Sequence, residues 1–484
     1  MIFNITDYGA VADGKTLITA ALQKAVDDCS SNKGGTVVIP CGKYRCGSVV
    51  LKDNVHILFE NGAILYGGEL CDYDKDEDRG YKFYQDLSHS TFHVSMFRAE
   101  KAKNIAVTGF GTIDMRSVWD VYNERAQGGM DYHGRAAKIF AFRECENVCF
   151  KDVTLLNATD LAVYLAGCEN VRISGLNLNV HIDGISPDCC KNVIISDCNV
   201  VTGDDAIVIK SSYTLNRVQD SENITIVNCV VSSRSNAIKV GTETNGGLKN
   251  LVVSNCALQN VRGSGIALEM VDGGVMDGVC IQNIAMENVH TPFFMMVAPR
   301  NRGPLGKATP NGKIRNVTIS NIHARGPYKP YKAPFNSYLA YRLGDEIQEP
   351  WRPGVVNTGG NRAEELPWQV IPNVTGMPGN PIENLTLRDI RLELRGGAKK
   401  GDWIIDVPEF REGDYPEANT YCRVIIEGDG VTEATNMVYK AMPAKGIYFR
   451  HVKGLKIYNV DIFTELSDER EAIVLDDVQD VVIR

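Results

Sequence analysis

Asn147-Val-Cys-Phe-Lys-Asp-Val-Thr, Asn170-Val-Arg-Ile-Ser-Gly-Leu, Asn192-Val-Ile-Ile-Ser-Asp-Cys and Asn223-Ile-Thr-Ile-Val-Asn-Cys are four copies of one short phrase. Each opens on Asn, alternates apolar strand formers with polar residues, and closes on a turn former before another short strand. The phrase continues at Asn250, Gly278, Asn316 and Asn384, with gaps between successive starts of 23, 22, 31, 27, 28, 38 and 68 residues. Alternation at period two marks strands with one buried face. A shortest period in the low twenties matches one turn of a β-solenoid, in which each coil rests on its neighbours. The longer gaps read as coils with loops inserted on one face, often the binding face. No helix-period segment alternates with these strands, which disfavours a leucine-rich repeat. The recurrent Asn fits a corner residue whose side chain hydrogen-bonds along the stack.

Composition agrees with one elongated body. A compact globule of 484 residues would ordinarily divide into domains, but a solenoid adds length without thickening its core. No Gly/Ser/Pro linker interrupts the chain, so we expect a single all-β domain over 1–484. Its cap and first coils occupy 1–60, and a long loop insertion occupies 326–381. Net charge is −9, which argues against nucleic acid and anionic membrane as partners but leaves room for a locally basic cleft. No stretch approaches the roughly eighteen apolar residues of a membrane-spanning helix. The opening Met1-Ile-Phe-Asn-Ile-Thr-Asp7 has no charged-then-apolar leader, which predicts a cytoplasmic protein; a chain shortened at its start would instead be extracellular. The 14 cysteines read as buried thiols stacked within coils, with Cys198, Cys229 and Cys256 holding one place in the phrase. Cys189-Cys190 are adjacent and no C-x-x-C pairs with a second, so zinc is disfavoured. Monomer and small homo-oligomer are both compatible with this sequence.

Within the repeat stand His181-Ile182-Asp183-Gly184 and Gly203-Asp204-Asp205. Asp183 and Asp204 are 21 residues apart, about one coil, which sets Asp183 below the Asp204/Asp205 pair on the same face. Three stacked carboxylates repel one another, so at least one keeps a proton near neutral pH. A protonated acid beside an ionised base is what hydrolysis of a glycosidic bond requires. Gly-Asp-Asp also reads as a turn with two solvated carboxylates, and spacing alone leaves both readings standing.

At the N-terminus, Asp7-Tyr8-Gly9-Ala10 precedes a helical pattern from Ile18 to Cys29, suited to capping the open end of a solenoid. Together with Gly34-Gly35-Thr-Val-Val-Ile-Pro40, Gly111-Thr112-Ile113-Asp114, Arg135 and Cys145-Glu-Asn147-Val, this opening resembles glycoside hydrolase family 28, the polygalacturonase and rhamnogalacturonase family. The resemblance spans about residues 1–300 and is most specific where Gly-Asp-Asp follows x-x-Asp-Gly by one coil. It implies a right-handed parallel β-helix with an N-terminal capping helix and long loop insertions. It also implies inverting hydrolysis, with Asp204 as general acid and Asp183 and Asp205 activating water. Inversion ordinarily uses carboxyl groups roughly 6.5–9.5 Å apart. No metal and no cofactor are expected.

The departures from that family bear on specificity. Its Gly-His-Gly is replaced by Ser235-Asn236-Ala237, and its Arg-Ile-Lys by Ile266-Ala267-Leu268 followed by Glu269. An acid at that place opposes a substrate carboxylate, so the reactive sugar is not expected to bind as in a polygalacturonase. Ile207-Val-Ile-Lys210-Ser211 is similar to a rhamnogalacturonase stretch. Lys210, Lys239, Glu243 and Glu269 follow the aspartates at coil positions, where they either contact substrate along with His181 and Asn236 or form a self-neutralising ladder. Arg300 and Arg302 lie where a loop leaves its coil. They read either as solvated or as replacements for the lost cations, since arginine pairs bidentately with carboxylates.

The 326–381 insertion carries Tyr328, Tyr331, Phe335, Tyr338, Tyr341, Trp351 and Trp368, which suits a lid over sugar rings or a flap against the solenoid. A 71–93 insertion is acidic, then aromatic; its Asp72 to Asp78 run lacks the glycine and terminal glutamate of a calcium loop. Both insertions can block a cleft, which predicts exo-action on short oligosaccharides. Two rivals remain: a polysaccharide lyase, with Ca²⁺ on the aspartates and Lys210 as base, and a non-catalytic adhesin, which predicts a trimer.

Overall fold

A computed structural model describes residues 1–75, 77, 89, 92–116, 137–300, 303, 309–326, 369–407, 409, 425–427 and 438–484. The described residues group into two compact units, one running from Met1 to Val231, the other starting at Ser232 and ending at Arg484.

The first unit is a stack of three-sided coils. One side is the parallel ladder Ile2–Asn4, Gly35–Ile39, Val55–Phe59, Lys103–Thr108, Glu146–Lys151, Glu169–Ser174, Lys191–Ser196 and Ser221–Val227. A second runs Asp13–Leu17, Gly42–Cys46, Ala63–Gly67, Thr112–Asp114, Thr154–Leu156, Asn177–Val180 and Asn199–Thr202. The third runs Val49–Val50, Ser95–Glu100, Lys138–Arg143, β1 (Val163–Ala166), β2 (Ile185–Asp188) and β3 (Ile207–Ser211). Every strand pairs with those one coil before and after it, as the repeat predicts for a parallel β-helix. The alternation holds: Val171, Ile173, Val193 and Ile195 point inward with no solvent exposure.

The corners explain the recurrent Asn. Asn147, Asn170, Asn192, Asn223 and Asn250 all adopt φ between +55° and +58°, a left-handed conformation that Asn tolerates better than most side chains. Their amides bond along the stack: Asn147 to Asn104 at 3.0 Å, Asn192 to Asn170 at 3.1 Å and Asn223 to Asn192 at 2.9 Å. Cys198, Cys229 and Cys256 repeat likewise, each thiol donating to the carbonyl two residues back at 3.2–3.3 Å. Cys41 and Cys71 depart from the expectation of buried thiols, being exposed.

The helix α1 (Thr19–Ser31) buries Leu22, Ala25, Val26 and Cys29 against the first coils, within two residues of the expected span at either end. Among the described residues, no helix is long and apolar enough to cross a membrane.

In the second unit the strands lengthen and run through the corners. β4 (Ile238–Thr244) pairs with β5 (Leu248–Met270), which pairs along its length with β6 (Val275–Val297). Lys313–Arg325, Ile382–Gly396 and Ala444–Leu466 continue this ladder in parallel.

Candidate active site

The mouth of the candidate site is formed by the segments that lead into β2 and β3. Ile185 pairs with Ile207, and the Gly184 amide donates to the Asp205 carbonyl at 3.0 Å. This register sets Asp183 level with Asp205, and Ile182 level with Asp204. Two glycines permit the approach. A Cβ at Gly203 would lie 2.1 Å from the His181 carbonyl oxygen, and one at Gly184 would lie 2.5 Å from that of Ala206. The glycines beside the aspartates are therefore required by coil-to-coil contact.

Asp183, Asp204 and Asp205 each present a carboxylate oxygen, all within 4.8 Å of one another. Stacking on one wall, read from spacing, is thus what the fold builds. In-register residues of adjacent parallel strands lie about 4.8 Å apart, which is how Asp183 and Asp205 come to share one wall. The three are not equivalent: Asp183 and Asp205 are 5% and 4% exposed, whereas Asp204 is open to solvent. Thr202 Oγ1 donates to the Asp204 carbonyl at 2.5 Å, and the Asp205 amide donates to Asp204 Oδ1 at 3.0 Å. These bonds fix the tip of the turn. Lys210, on β3, brings its Nζ to 3.8 Å from Asp183 Oδ2. His181 is partly buried, and burial pushes its imidazole down to about 3, so it is neutral at physiological pH.

Sequence reading missed a charged pair on the same wall. Lys138 Nζ lies 2.6 Å from Asp160 Oδ2, with both side chains at most 4% exposed, and the Lys138 ammonium is 5.9 Å from the centre of the Tyr164 ring. The period was the available signal, since Asp160 precedes Asp183 by 23 residues. Next to it, Phe92, Ala141, Leu161, Tyr164, Ala166, Cys189 and Leu215 form an apolar cluster against which Ile182 packs. Phe92 and His89 come from the 71–93 insertion. The Phe92 ring sits 5.2 Å from that of Tyr164, whose hydroxyl donates to the His89 carbonyl at 2.9 Å.

Elsewhere in that insertion, Glu77, His93 and Glu100 converge, but Arg143 bonds both glutamates. Two carboxylates already facing a guanidinium make a poor cation site. Asp72 and Asp74, in the run considered for calcium, bond Arg45 and Arg98 at 2.9 Å each.

The other expected site residues lie in the second unit. Asn236, expected to meet substrate, has no exposed surface. Its Oδ1 accepts from the Ser264 amide at 2.9 Å, so it links one coil to the next. Arg300 is buried rather than solvated. Its Nε donates to Asp272 Oδ1 at 2.9 Å, its Nη2 to Asp272 Oδ2, and its Nη1 to Glu243 Oε1 at 3.3 Å. Asp272 was absent from the sequence reading, and Glu243 belongs to this buried triad. Glu269 is fully buried, stacked where Gly241 leaves room: a Cβ on Gly241 would come within 3.2 Å of the Glu269 Cβ. Lys239 is 8% exposed and stands level with Ala267. Arg302, Arg135 and the aromatic residues of the 326–381 insertion lie outside the described residues.

The model of glycosyl hydrolases family 28 matches residues 29–329, a stretch that holds all three aspartates. A "probable polygalacturonase" of Vitis vinifera is 24% identical over 467 residues, covering 91% of this chain and 84% of that protein. An "exo-poly-alpha-D-galacturonosidase" of Dickeya chrysanthemi is 25% identical over 337 residues, covering 60% of this chain and 55% of its own length. Among solved structures, the family 28 exopolygalacturonase of Yersinia enterocolitica superposes with a TM-score of 0.68 at 18% identity, covering 99% of this chain and 78% of that one. At that identity the likeness speaks for the fold, a right-handed parallel β-helix.

Proposed function

The chain belongs to glycosyl hydrolases family 28 and is a pectin-degrading glycoside hydrolase, and from that premise we propose an exo-acting, inverting enzyme working on short pectin-derived oligosaccharides. The observation that carries the proposal is the convergence of three carboxylates, two buried and one open, within 4.8 Å.

In this reading Asp204, the exposed member, gives its proton to the glycosidic oxygen as the bond to the anomeric carbon breaks. Asp183 and Asp205 hold a water between them and accept its proton as its oxygen bonds to that carbon. One proton is delivered to the leaving group and one is taken from water. Stereochemistry is a sharp test, because a carboxylate acting as nucleophile would give retention.

Exo-action is supported by two features. The Dickeya and Yersinia relatives are exo-enzymes by name. The Phe92 cluster also packs against Ile182, the residue before Asp183, and so crowds one side of the aspartates. The substitution of Ile266-Ala267-Leu268-Glu269 for the family's cationic stretch argues for a reactive sugar held without the usual carboxylate clamp.

The test is digestion of a panel of pectic oligosaccharides, followed by NMR of the first product and by ultraviolet absorbance. We expect monosaccharide released from one end, with inverted anomeric configuration and no unsaturated chromophore. Early loss of polymer viscosity would contradict exo-action, retention would contradict the water-held mechanism, and an unsaturated product would mean lyase chemistry.

A further inference from the structure

Asp183 and Asp205 stand level on adjacent coils and are both almost fully buried. Two carboxylates stacked at that spacing in a desolvated wall cannot both be ionised unless a cation offsets their repulsion. Lys210 is such a cation: it is 5% exposed, with its Nζ 3.8 Å from Asp183 Oδ2.

The register partner of Lys210 on β2 is Asp188, and one would expect those two to pair. Asp188 is instead served by other donors: the Ser212 amide at 2.8 Å, the Ser212 hydroxyl at 2.5 Å and, at 3.1 Å, the Tyr164 hydroxyl, whose proton it shares with the His89 carbonyl. The ammonium is turned back along the wall to Asp183. Other described charged or titratable groups of this wall include Asp204, Asp205, His181 and Asp188, with Asp160, Lys138 and Tyr164 on the preceding coils. Lys138 and Asp160 satisfy each other at 2.6 Å, and His181 is held neutral by burial. Lys210 is thus a cation that faces Asp183.

We propose that Lys210 is a positioning residue whose ammonium keeps Asp183 ionised beside Asp205, so that the water-holding pair carries two charges while Asp204 keeps its proton. The proposal rests on the hydrolase reading above. It differs from a substrate contact in what it predicts: the charge acts on the base, and the sugar is bound without it.

The experiment is the pH profile of kcat/KM for wild type, Lys210→Met and Lys210→Arg on the oligosaccharide that the wild type cleaves. Removing a nearby positive charge raises the pKa of a carboxylate by about 1–3 units. The acid limb of the Lys210→Met profile should therefore move up by at least about one pH unit, with activity recovering at higher pH and KM little changed. Lys210→Arg should keep the limb near that of wild type. An unmoved limb with a raised KM would make Lys210 a substrate contact and overturn the proposal.

Should Met at this place prevent folding, Lys210→Gln serves the same comparison. A urea double-mutant cycle with Asp183→Asn gives an independent readout: additive effects on unfolding overturn the pairing, and coupled effects support it. Turnover retained in Asp183→Asn would overturn the hydrolase assignment itself, whatever the cycle shows about Lys210.

Discussion

Two walls of this molecule are built from stacked acids and differ in what faces them. In the second unit, Asp272 and Glu243 converge on Arg300, whose planar fork bonds both oxygens of Asp272 and one of Glu243, with every member at most 3% exposed. In the first unit, Asp183, Asp204 and Asp205 converge on one another, and the ammonium beside Asp183 stands 3.8 Å away. Coil stacking produced both. A guanidinium meets its acids with a planar fork of donors, whereas an ammonium acts as a compact point charge. The difference teaches that the same coil stacking can bury acids around one guanidinium or gather three of them at a wall with one member open to solvent.

That contrast can be broken most forcefully at Arg300. Arg300→Met leaves Asp272 and Glu243 buried without their cation, and breaking a buried pair on one side costs about 3–5 kcal/mol. Urea unfolding should show a loss of that order. If stability is unchanged and KM rises, Arg300 is a substrate clamp and the two walls are alike in purpose.

A smaller effect sharpens the first wall. Burial lowers the His181 imidazole from 6.5 to about 3. Between those values the unfolded chain takes up a proton that the folded chain refuses, so stability falls as pH falls through that window, by up to about 1.4 kcal/mol per pH unit. The melting temperature of His181→Asn should vary less with pH than that of wild type between about pH 3 and 6.5. Parallel curves would mean that His181 titrates normally and lies open to the site.

The same contrast marks how far the sequence could be read. The coil period was legible because each corner carries a left-handed Asn bonded to the next, and the aspartate wall followed from two motifs separated by one period. The Arg300 triad was not legible. Its partners lie 28 and 57 residues back, about one and two coils, but no motif marks Asp272 as the acid that would meet Arg300. The bond from the Ser264 amide to Asn236 Oδ1 was not legible either, because substitution at a family position carries no sign of a coil-to-coil partner. Asp188 was passed over beside Cys189-Cys190, although its buried carboxylate gathers Ser212 and Tyr164. Lone acids outside a motif gain meaning only once register is known.

The central claim, that Asp204 supplies the proton at an otherwise intact wall, is tested most directly by comparing two leaving groups on Asp204→Asn. A general acid contributes about 10²–10⁴-fold, so cleavage of the natural oligosaccharide should fall by that factor. An aryl glycoside of the same sugar, whose phenolate leaves without a proton, should be cleaved at close to the wild-type rate. Unfolding should be unchanged, since the side chain is exposed. Equal losses on both substrates, or undiminished turnover of the natural one, would contradict the assignment.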